Sequence, residues 1–62
     1  SNRLCGRMRV LGISQWELAR TTGISEVSIS RYMNGRATPS GYNLDRISRA
    51  LNCSSSELID IV

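Results

Sequence analysis

The 62-residue sequence contains no histidine, no lysine and no phenylalanine, and only three aromatic residues. Without histidine, and with its two cysteines far apart at Cys5 and Cys53, it offers no cluster of zinc ligands. It has no nucleophile–base pair and no glycine-rich phosphate loop, and a chain of this size buries only roughly 60% of its unfolded surface. We therefore expect no enzyme, no cofactor, no metal and no small-molecule substrate.

Long apolar runs are also missing. No stretch approaches the ~18 apolar residues of a membrane span, and no signal-peptide pattern begins the chain. We therefore expect a cytoplasmic protein with no membrane partner. In a reducing cytosol Cys5 and Cys53 are more simply two buried thiols than a disulfide, although the sequence leaves the disulfide open.

The charge balance is basic. Eight arginines face five acidic residues, for a net charge of +3. Arginine can donate two parallel hydrogen bonds to a phosphate or a guanine, which lysine cannot. The balance is compatible with a polyanionic partner, although many ordinary domains carry a similar charge.

The stretch from Ser14 to Asn34 predicts two short helices joined by a tight turn. Ser14 and Glu17 have the spacing of a capping box, in which each side chain satisfies an unpaired N–H at a helix start. Gly23 is expected to end this helix, because glycine adopts the left-handed conformation at little cost.

The second helix of this stretch is predicted from about Glu26 to Met33, with Ser25 as its N-cap. Ile29, Tyr32 and Met33 have the i, i+3, i+4 spacing of one buried stripe. We expect the Tyr32 hydroxyl to find a hydrogen-bond partner in the core.

A helix before this stretch is predicted from about Arg3 to Leu11. Leu4, Met8 and Leu11 form its inward stripe, and Gly12 has the position just past a helix end. Its three arginines could reach phosphate, but a solvated face is the commoner role of such residues. They are Arg3, Arg7 and Arg9.

Two further helices are predicted after a loop that glycine and proline mark at residues 34–39. Ser40 caps helix four, and Asn52 can take the left-handed position at its end. Ser54 and Glu57 form a second capping box, which predicts helix five from about Ser55 to Ile61. The inward stripe of helix four is Leu44, Ile47, Ala50 and Leu51. No strand pattern competes, so we expect one all-α domain over residues 1–62 with five helices.

The sequence resembles the helix-turn-helix domains of the lambdoid phage repressors and Cro proteins, the XRE type. The resemblance rests on Gln15 opening helix two, the Leu18-Ala19 pair and the Gly23-Ile24 turn, and it continues to Leu58. It implies a compact lambda repressor-like bundle, with the helix-turn-helix at residues 15–34. Its further features are Ile29 and Tyr32 within the segment SxISRYxNG.

Two departures from the family pattern bear on packing. Thr22 stands where an apolar residue is usual before the turn glycine. Met8 and Met33 stand where several relatives have an Arg–Glu ion pair between helices one and three. An apolar pair of similar reach can replace a buried ion pair without loss of stability.

The resemblance implies that the outer face of helix three lies in the major groove of DNA. Arg31 is predicted to contact guanine and Val27 a thymine methyl. Glu26 can accept from cytosine or orient Arg31, and Ser28 is short enough to reach a base edge or a phosphate. The simpler alternative is that these are exposed helix residues without a DNA contact.

Flanking residues are predicted to bind the DNA backbone, which sets the register and carries no sequence information directly. Gln15 lies at the N-terminus of helix two, where unpaired N–H groups favour phosphate. Asn34, Arg36 and Thr38 lie in the loop that grips DNA in the family. Trp16 could pack over helix one or stack near the backbone, and we assign it to structure because tryptophan is usually partly buried.

The leading interpretation is a sequence-specific DNA-binding domain of a phage or bacterial transcriptional regulator, a repressor that binds operator DNA as a homodimer. It would associate with the nucleoid when bound to DNA. The alternative is an antitoxin or a protein-interaction module of the same fold. The outer face of helix three favours DNA, because a protein-binding face should show an exposed apolar patch.

Overall fold

The computed structural model describes residues 3–58, and within this range the chain is all-α, with no strand. It forms four α-helices and one turn of 3-10 helix. The helices are α1 (Arg3–Leu11), α2 (Gln15–Thr22), α3 (Glu26–Met33) and α4 (Gly41–Ala50), and the 3-10 turn is Ser55–Glu57. The all-α prediction is confirmed.

The structure corrects the prediction of a fifth α-helix, because a 3-10 turn forms where this helix was expected to begin. The capping box of Ser54 and Glu57 forms as expected, but it begins only the single 3-10 turn, which ends at Glu57. Leu58, which directly follows this box, is buried. A capping box specifies where a helix begins and does not determine how far it continues. The rest of the predicted helix, residues 59–61, lies outside the described residues.

The helix starts follow from serine N-caps. The hydroxyls of Ser14, Ser25 and Ser40 each accept the backbone N–H three residues later, at 3.1 to 3.2 Å. Each bond satisfies one of the N–H groups that a helix start leaves unpaired. The predicted N-caps of α2, α3 and α4 are confirmed.

In both capping boxes the backbone N–H of the serine donates to the carboxylate of the glutamate. The Ser14 N–H donates to Glu17 Oε1 at 3.0 Å, and the Ser54 N–H donates to Glu57 Oε2 at 2.8 Å. These backbone hydrogen bonds stabilise the ionised acids and lower the pKa of Glu17 and of Glu57. The serine hydroxyls act in the same direction in both boxes, and Arg7 adds a smaller effect at Glu57.

The ends of α1 and α4 use one hydrogen-bond pattern. Gly12 and Asn52 adopt positive φ angles of 69° and 55°, just past the end of each helix. The next residue in each case, Ile13 or Cys53, donates its N–H to a carbonyl five residues earlier, at 3.0 Å. This is the Schellman motif, which satisfies the last carbonyls of a helix. The roles predicted for Gly12 and Asn52 are confirmed.

The hydrophobic core lies where α2, α3 and α4 meet. Its four most deeply buried side chains are Leu18, Ile29, Ile47 and Leu51. Leu4 and Met8 of α1, Ile24 of the turn and Leu58 complete the core. Leu11, predicted to point inward, is instead 41% exposed, because the chain turns away at Gly12 after the last core residue of α1.

Arg7 has a structural role, which corrects its assignment to a solvated face. Its guanidinium donates to the carbonyls of Leu51 and Asn52 at 3.2 to 3.3 Å. A cation there also complements the negative end of the α4 dipole. Arg7 therefore ties α1 to the end of α4. Cys5 and Cys53 are both half-buried thiols rather than a disulfide.

Candidate nucleic-acid interface

The turn between α2 and α3 is held by hydrogen bonds of Thr22. Its buried hydroxyl donates to the Leu18 carbonyl at 2.7 Å and accepts the Ile24 N–H at 3.2 Å. A threonine at this position therefore supplies a link that an apolar residue could not. Gly23 has a φ of 76°, as expected, and its N–H donates to the Ala19 carbonyl at 2.9 Å. These bonds set the direction in which α3 leaves α2.

An arginine of α4 packs over the same turn. A Cβ added to Gly23 would lie 2.8 Å from Nη2 of Arg46. The Arg46 guanidinium also lies 5.3 Å from the centre of the Tyr42 ring, within the range of a cation–π contact. Two features thus favour glycine at this turn: the left-handed backbone conformation and the close approach of the Arg46 side chain.

The two faces of α3 differ as the sequence predicts. Ile29 is fully buried, whereas Glu26, Val27 and Arg31 are exposed. Val27 is an aliphatic residue that remains 63% exposed in the middle of this polar surface. Tyr32 on the inner side is partly buried, and its hydroxyl accepts a hydrogen bond from Asn43 Nδ2 at 3.2 Å. The expected partner of Tyr32 is therefore present.

The outer face of α3 forms one side of an open groove of about 550 Å³. The groove also includes the start of α2 and the chain that follows α3. We call it the α2–α3 groove, and it is lined by Gln15, Glu26, Val27, Ser30, Arg31, Asn34 and Arg36. Six of these seven were predicted to contact DNA, so the structure brings most of the candidate residues together.

Gln15 joins the two helix starts. Its Nε2 donates to the Glu26 carbonyl at 3.2 Å. One of its two amide hydrogens is thereby used within the protein, while the other hydrogen and the amide oxygen remain available in the groove. The side chain is therefore held in position at the start of α2.

Ser30 lines the groove, as helical spacing predicts for a residue on the outer face of α3, although no individual DNA contact was predicted for it. Asn34 Nδ2 donates to the Ser30 carbonyl at 2.9 Å and to the Ser30 hydroxyl at 3.4 Å. The amide nitrogen of Asn34 is thus engaged within the protein, so its oxygen is the more accessible group.

Ser28 and Thr38 are the two candidate residues that the structure does not place along this groove. The Ser28 hydroxyl accepts a hydrogen bond from the Ser25 hydroxyl at 3.1 Å, and Ser28 is only half exposed. Thr38 is exposed in the loop before α4. Their predicted DNA contacts remain predictions.

Charge in the α2–α3 groove comes from three side chains. Arg31 and Arg36 are both exposed, and Glu26 lies at the start of α3. Among residues 3–58 no ion pair joins Glu26 to Arg31, so Glu26 does not orient this arginine within the protein. The guanidinium N–H donors of Arg31 and Arg36 are thus accessible to a ligand in the α2–α3 groove.

Trp16 is more exposed than its structural assignment suggested. The side chain is 53% exposed, and the Arg20 guanidinium lies 4.7 Å from the centre of its ring. The core is built from aliphatic side chains of α2, such as Leu18, on the other side of the helix. Trp16 is therefore not part of the core, and its assignment to structure remains a prediction.

The described residues offer neither a metal site nor a membrane span. Within residues 3–58 no group of three or more His, Cys, Asp or Glu side chains is placed to hold a metal ion. In the same range, no helix has the length and apolar character needed to cross a membrane.

Comparison with known proteins identifies the class. A protein family described as Helix-turn-helix matches residues 7–58, and the chain belongs to this family. Repressor protein C2 of Salmonella phage P22 is 37% identical to it over 57 residues, which are 92% of this chain and 26% of the phage protein. The chain thus spans about a quarter of the length of this relative. No solved structure gave a significant match.

Proposed function

We propose that this domain binds operator DNA as part of a homodimer, with α3 in the major groove, and represses transcription from phage or bacterial promoters. Membership in the helix-turn-helix family and the likeness to a phage repressor support the coarser statement, a DNA-binding domain of a transcriptional regulator. The α2–α3 groove supports the finer one. The domain binds DNA in the cytoplasm and catalyses no reaction.

The observation that carries this proposal is the composition of the outer face of α3. It exposes a guanidinium, a carboxylate and an aliphatic side chain on Arg31, Glu26 and Val27. These are the groups that distinguish guanine, cytosine and thymine in the major groove. An exposed Val27 has no partner in the core, and a thymine methyl would bury it. We assign base contacts to these three and to Ser28.

Phosphate contacts are assigned to the residues that flank this face. Gln15 binds the Glu26 carbonyl at the start of α3, and Arg36 follows the end of α3, so the two lie toward opposite ends of this helix. Asn34 and Thr38 complete the predicted set. Phosphate contacts near both ends of α3 would fix the register of this helix in the major groove of DNA.

A homodimer would place two copies of α3 in successive turns of the major groove. The operator should then have two half-sites about one helical turn, ~10 base pairs, apart. We assign a weak dimer contact to Ile59, Ile61 and Val62, which lie outside the described residues. Tight binding of a monomer to one lone half-site would contradict this assignment.

The experiment begins with selection of bound duplexes from random DNA at a stated salt concentration, because affinity for DNA depends steeply on salt. Arg31→Ala and Arg36→Ala are then compared on the selected site and on base-substituted sites. Arg49→Ala is the matched control, since Arg49 is an exposed arginine that pairs with Asp45 on α4.

Arg31→Ala should cost about 1–3 kcal/mol on the selected site and relax base choice at one position per half-site. Arg36→Ala should weaken binding to all sequences alike and lower the salt slope by about one unit per subunit. Uniform loss of affinity in Arg31→Ala would refute the base assignment. If neither change affects DNA binding, a protein-interaction module, such as an antitoxin, becomes the better interpretation.

A further inference from the structure

We propose that Trp16 and Arg20 form a second DNA-backbone contact, on the phosphates that flank the bases read by α3. This inference rests on the proposed function. The two residues are not among those that line the α2–α3 groove. The sequence left open that Trp16 stacks near the DNA backbone, and it predicted no DNA contact for Arg20. Their arrangement in the structure is what suggests one.

The first observation is the cation–π contact of the pair. The Arg20 guanidinium lies 4.7 Å from the centre of the Trp16 ring. The N–H donors of a guanidinium are the groups through which arginine binds phosphate. Within residues 3–58, Arg20 has no hydrogen bond or ion pair to use these donors. The cation is therefore held in place with its donors available.

The second observation is the location of the pair. Trp16 directly follows Gln15, which lines the groove at the start of α2. Side chains on a helix tilt toward its N-terminus, so Trp16 leans toward the end of α2 that carries Gln15. Arg20 is one turn later and extends back over Trp16. Trp16 thus directly follows a residue that lines the groove, and Arg20 contacts Trp16.

The third observation is chemical complementarity. An exposed cation with free donors beside an amphipathic indole suits phosphate oxygens and the adjoining sugar. A base edge is not the expected partner of the pair. In the proposed complex α3 occupies the major groove of DNA, whereas the pair lies on α2. A contact with the DNA backbone would also cover an aromatic side chain that is 53% exposed.

Trp16 is the only tryptophan of the chain, so its fluorescence reports on this surface alone. The wild-type chain is titrated with mixed-sequence duplex DNA, and binding is followed separately by the anisotropy of labelled DNA. Quenching of Trp16 by acrylamide is measured with and without saturating DNA. We expect DNA to protect Trp16 from the quencher.

Charge removal supplies an independent measurement. Arg20→Gln should weaken binding roughly threefold to tenfold on every sequence and lower the salt slope by about one unit per subunit. The matched control is Arg49→Gln, which removes the same charge from an exposed arginine of α4 and should leave the salt slope unchanged. Thermal melting of each variant establishes that it is folded.

A neutral methylphosphonate at each flanking phosphate then locates the contact. One substitution should weaken binding of the wild type and have no further effect on Arg20→Gln, which is the signature of a direct pair. If DNA binds but Trp16 quenching and the Arg20→Gln salt slope are both unchanged, this proposal is overturned and the proposed function stands. If no DNA binds by anisotropy, both fail.

Discussion

The inner and outer faces of α3 carry similar aliphatic side chains, one buried in the core and the other exposed to solvent. Ile29 and Val27 are both β-branched aliphatic residues, two positions apart in one helix. Ile29 is 0% exposed and Val27 is 63% exposed. The core therefore holds α3 by one face and leaves the other available for a partner. Substitutions on the inner face should change stability, and those on the outer face should change recognition.

The largest expected effect tests this division directly. Ile29→Ala removes a fully buried side chain from the centre of the core and should cost about 3–4 kcal/mol of unfolding free energy. Val27→Ala is the matched change on the outer face and should stay within about 0.5 kcal/mol. Urea denaturation of both variants measures the difference. Comparable losses of stability would show that the outer face is part of the packing.

Val27→Ala also has an expected effect on binding. It should reduce discrimination for thymine at one position per half-site, because the aliphatic contact with the C5-methyl group is lost. The measurement is binding to the selected site and to the same site with uracil in place of that thymine. If wild type and variant discriminate equally, Val27 does not contact the methyl group.

A further prediction concerns Met8 of α1, which is buried in the core, and Met33 of α3, which is partly buried and packs against the core. If they pack against each other, Met8→Arg alone buries an unpaired charge and should destabilise the fold by roughly 3 kcal/mol. Adding Met33→Glu should then recover a good part of this loss, since it supplies the missing partner. A double variant that shows only the sum of two losses would mean that the two residues are not partners.

A smaller effect is expected at the turn that orients both faces of α3. Gly23→Ala forces a Cβ into the left-handed conformation and against Arg46, and should cost about 1–2 kcal/mol. Gly12→Ala is the control, because its φ is similar and a Cβ there meets no atom within 4 Å. The difference between the two isolates the Arg46 contact. Equal losses would mean that Arg46 moves aside freely.

Acid should give the smallest effect and act away from α3. The folded pKa of Glu17 and of Glu57 lies below the ordinary value of 4.5 because of the capping boxes. Their stabilisation is therefore fully present above the unfolded pKa and is lost as the pH falls through the lower folded pKa. Glu17→Gln and Glu57→Gln should each reduce this acid dependence in melting experiments. An unchanged dependence in both variants would assign it to other groups.

Local sequence signals predicted the helices well. The bounds of α1 and α3, the serine N-caps and the left-handed Asn52 agree with the structure because each depends on only a few neighbouring residues. The capping box at Ser54 was also correct, yet it did not predict the length of the element that follows. Caps specify where a helix begins, whereas burial decides how far it continues.

Side-chain assignments that depend on distant residues were less successful. Arg7 donates to the carbonyls of Leu51 and Asn52, which lie 44 and 45 positions later in the chain. No local sequence pattern predicts such a contact. Leu11 has the spacing of a core residue but lies where the chain leaves the core. Trp16 was assigned by the usual burial of tryptophan, but it is 53% exposed and contacts Arg20 rather than the core.

The sequence by itself determined the all-α fold, because hydrophobic spacing, caps and the turn glycine act locally, and its resemblance to the phage repressors indicated the class. The four candidates for base contact lie within α3, where helical spacing separates exposed from buried positions, and the other four were placed by the resemblance. The tertiary structure decided how the outer face of α3 combines with Gln15 and Arg36 into one groove, and which arginines have donors available for a partner. The physical reason is that these relations depend on how α1, α2 and α4 pack, which brings together residues far apart in the chain.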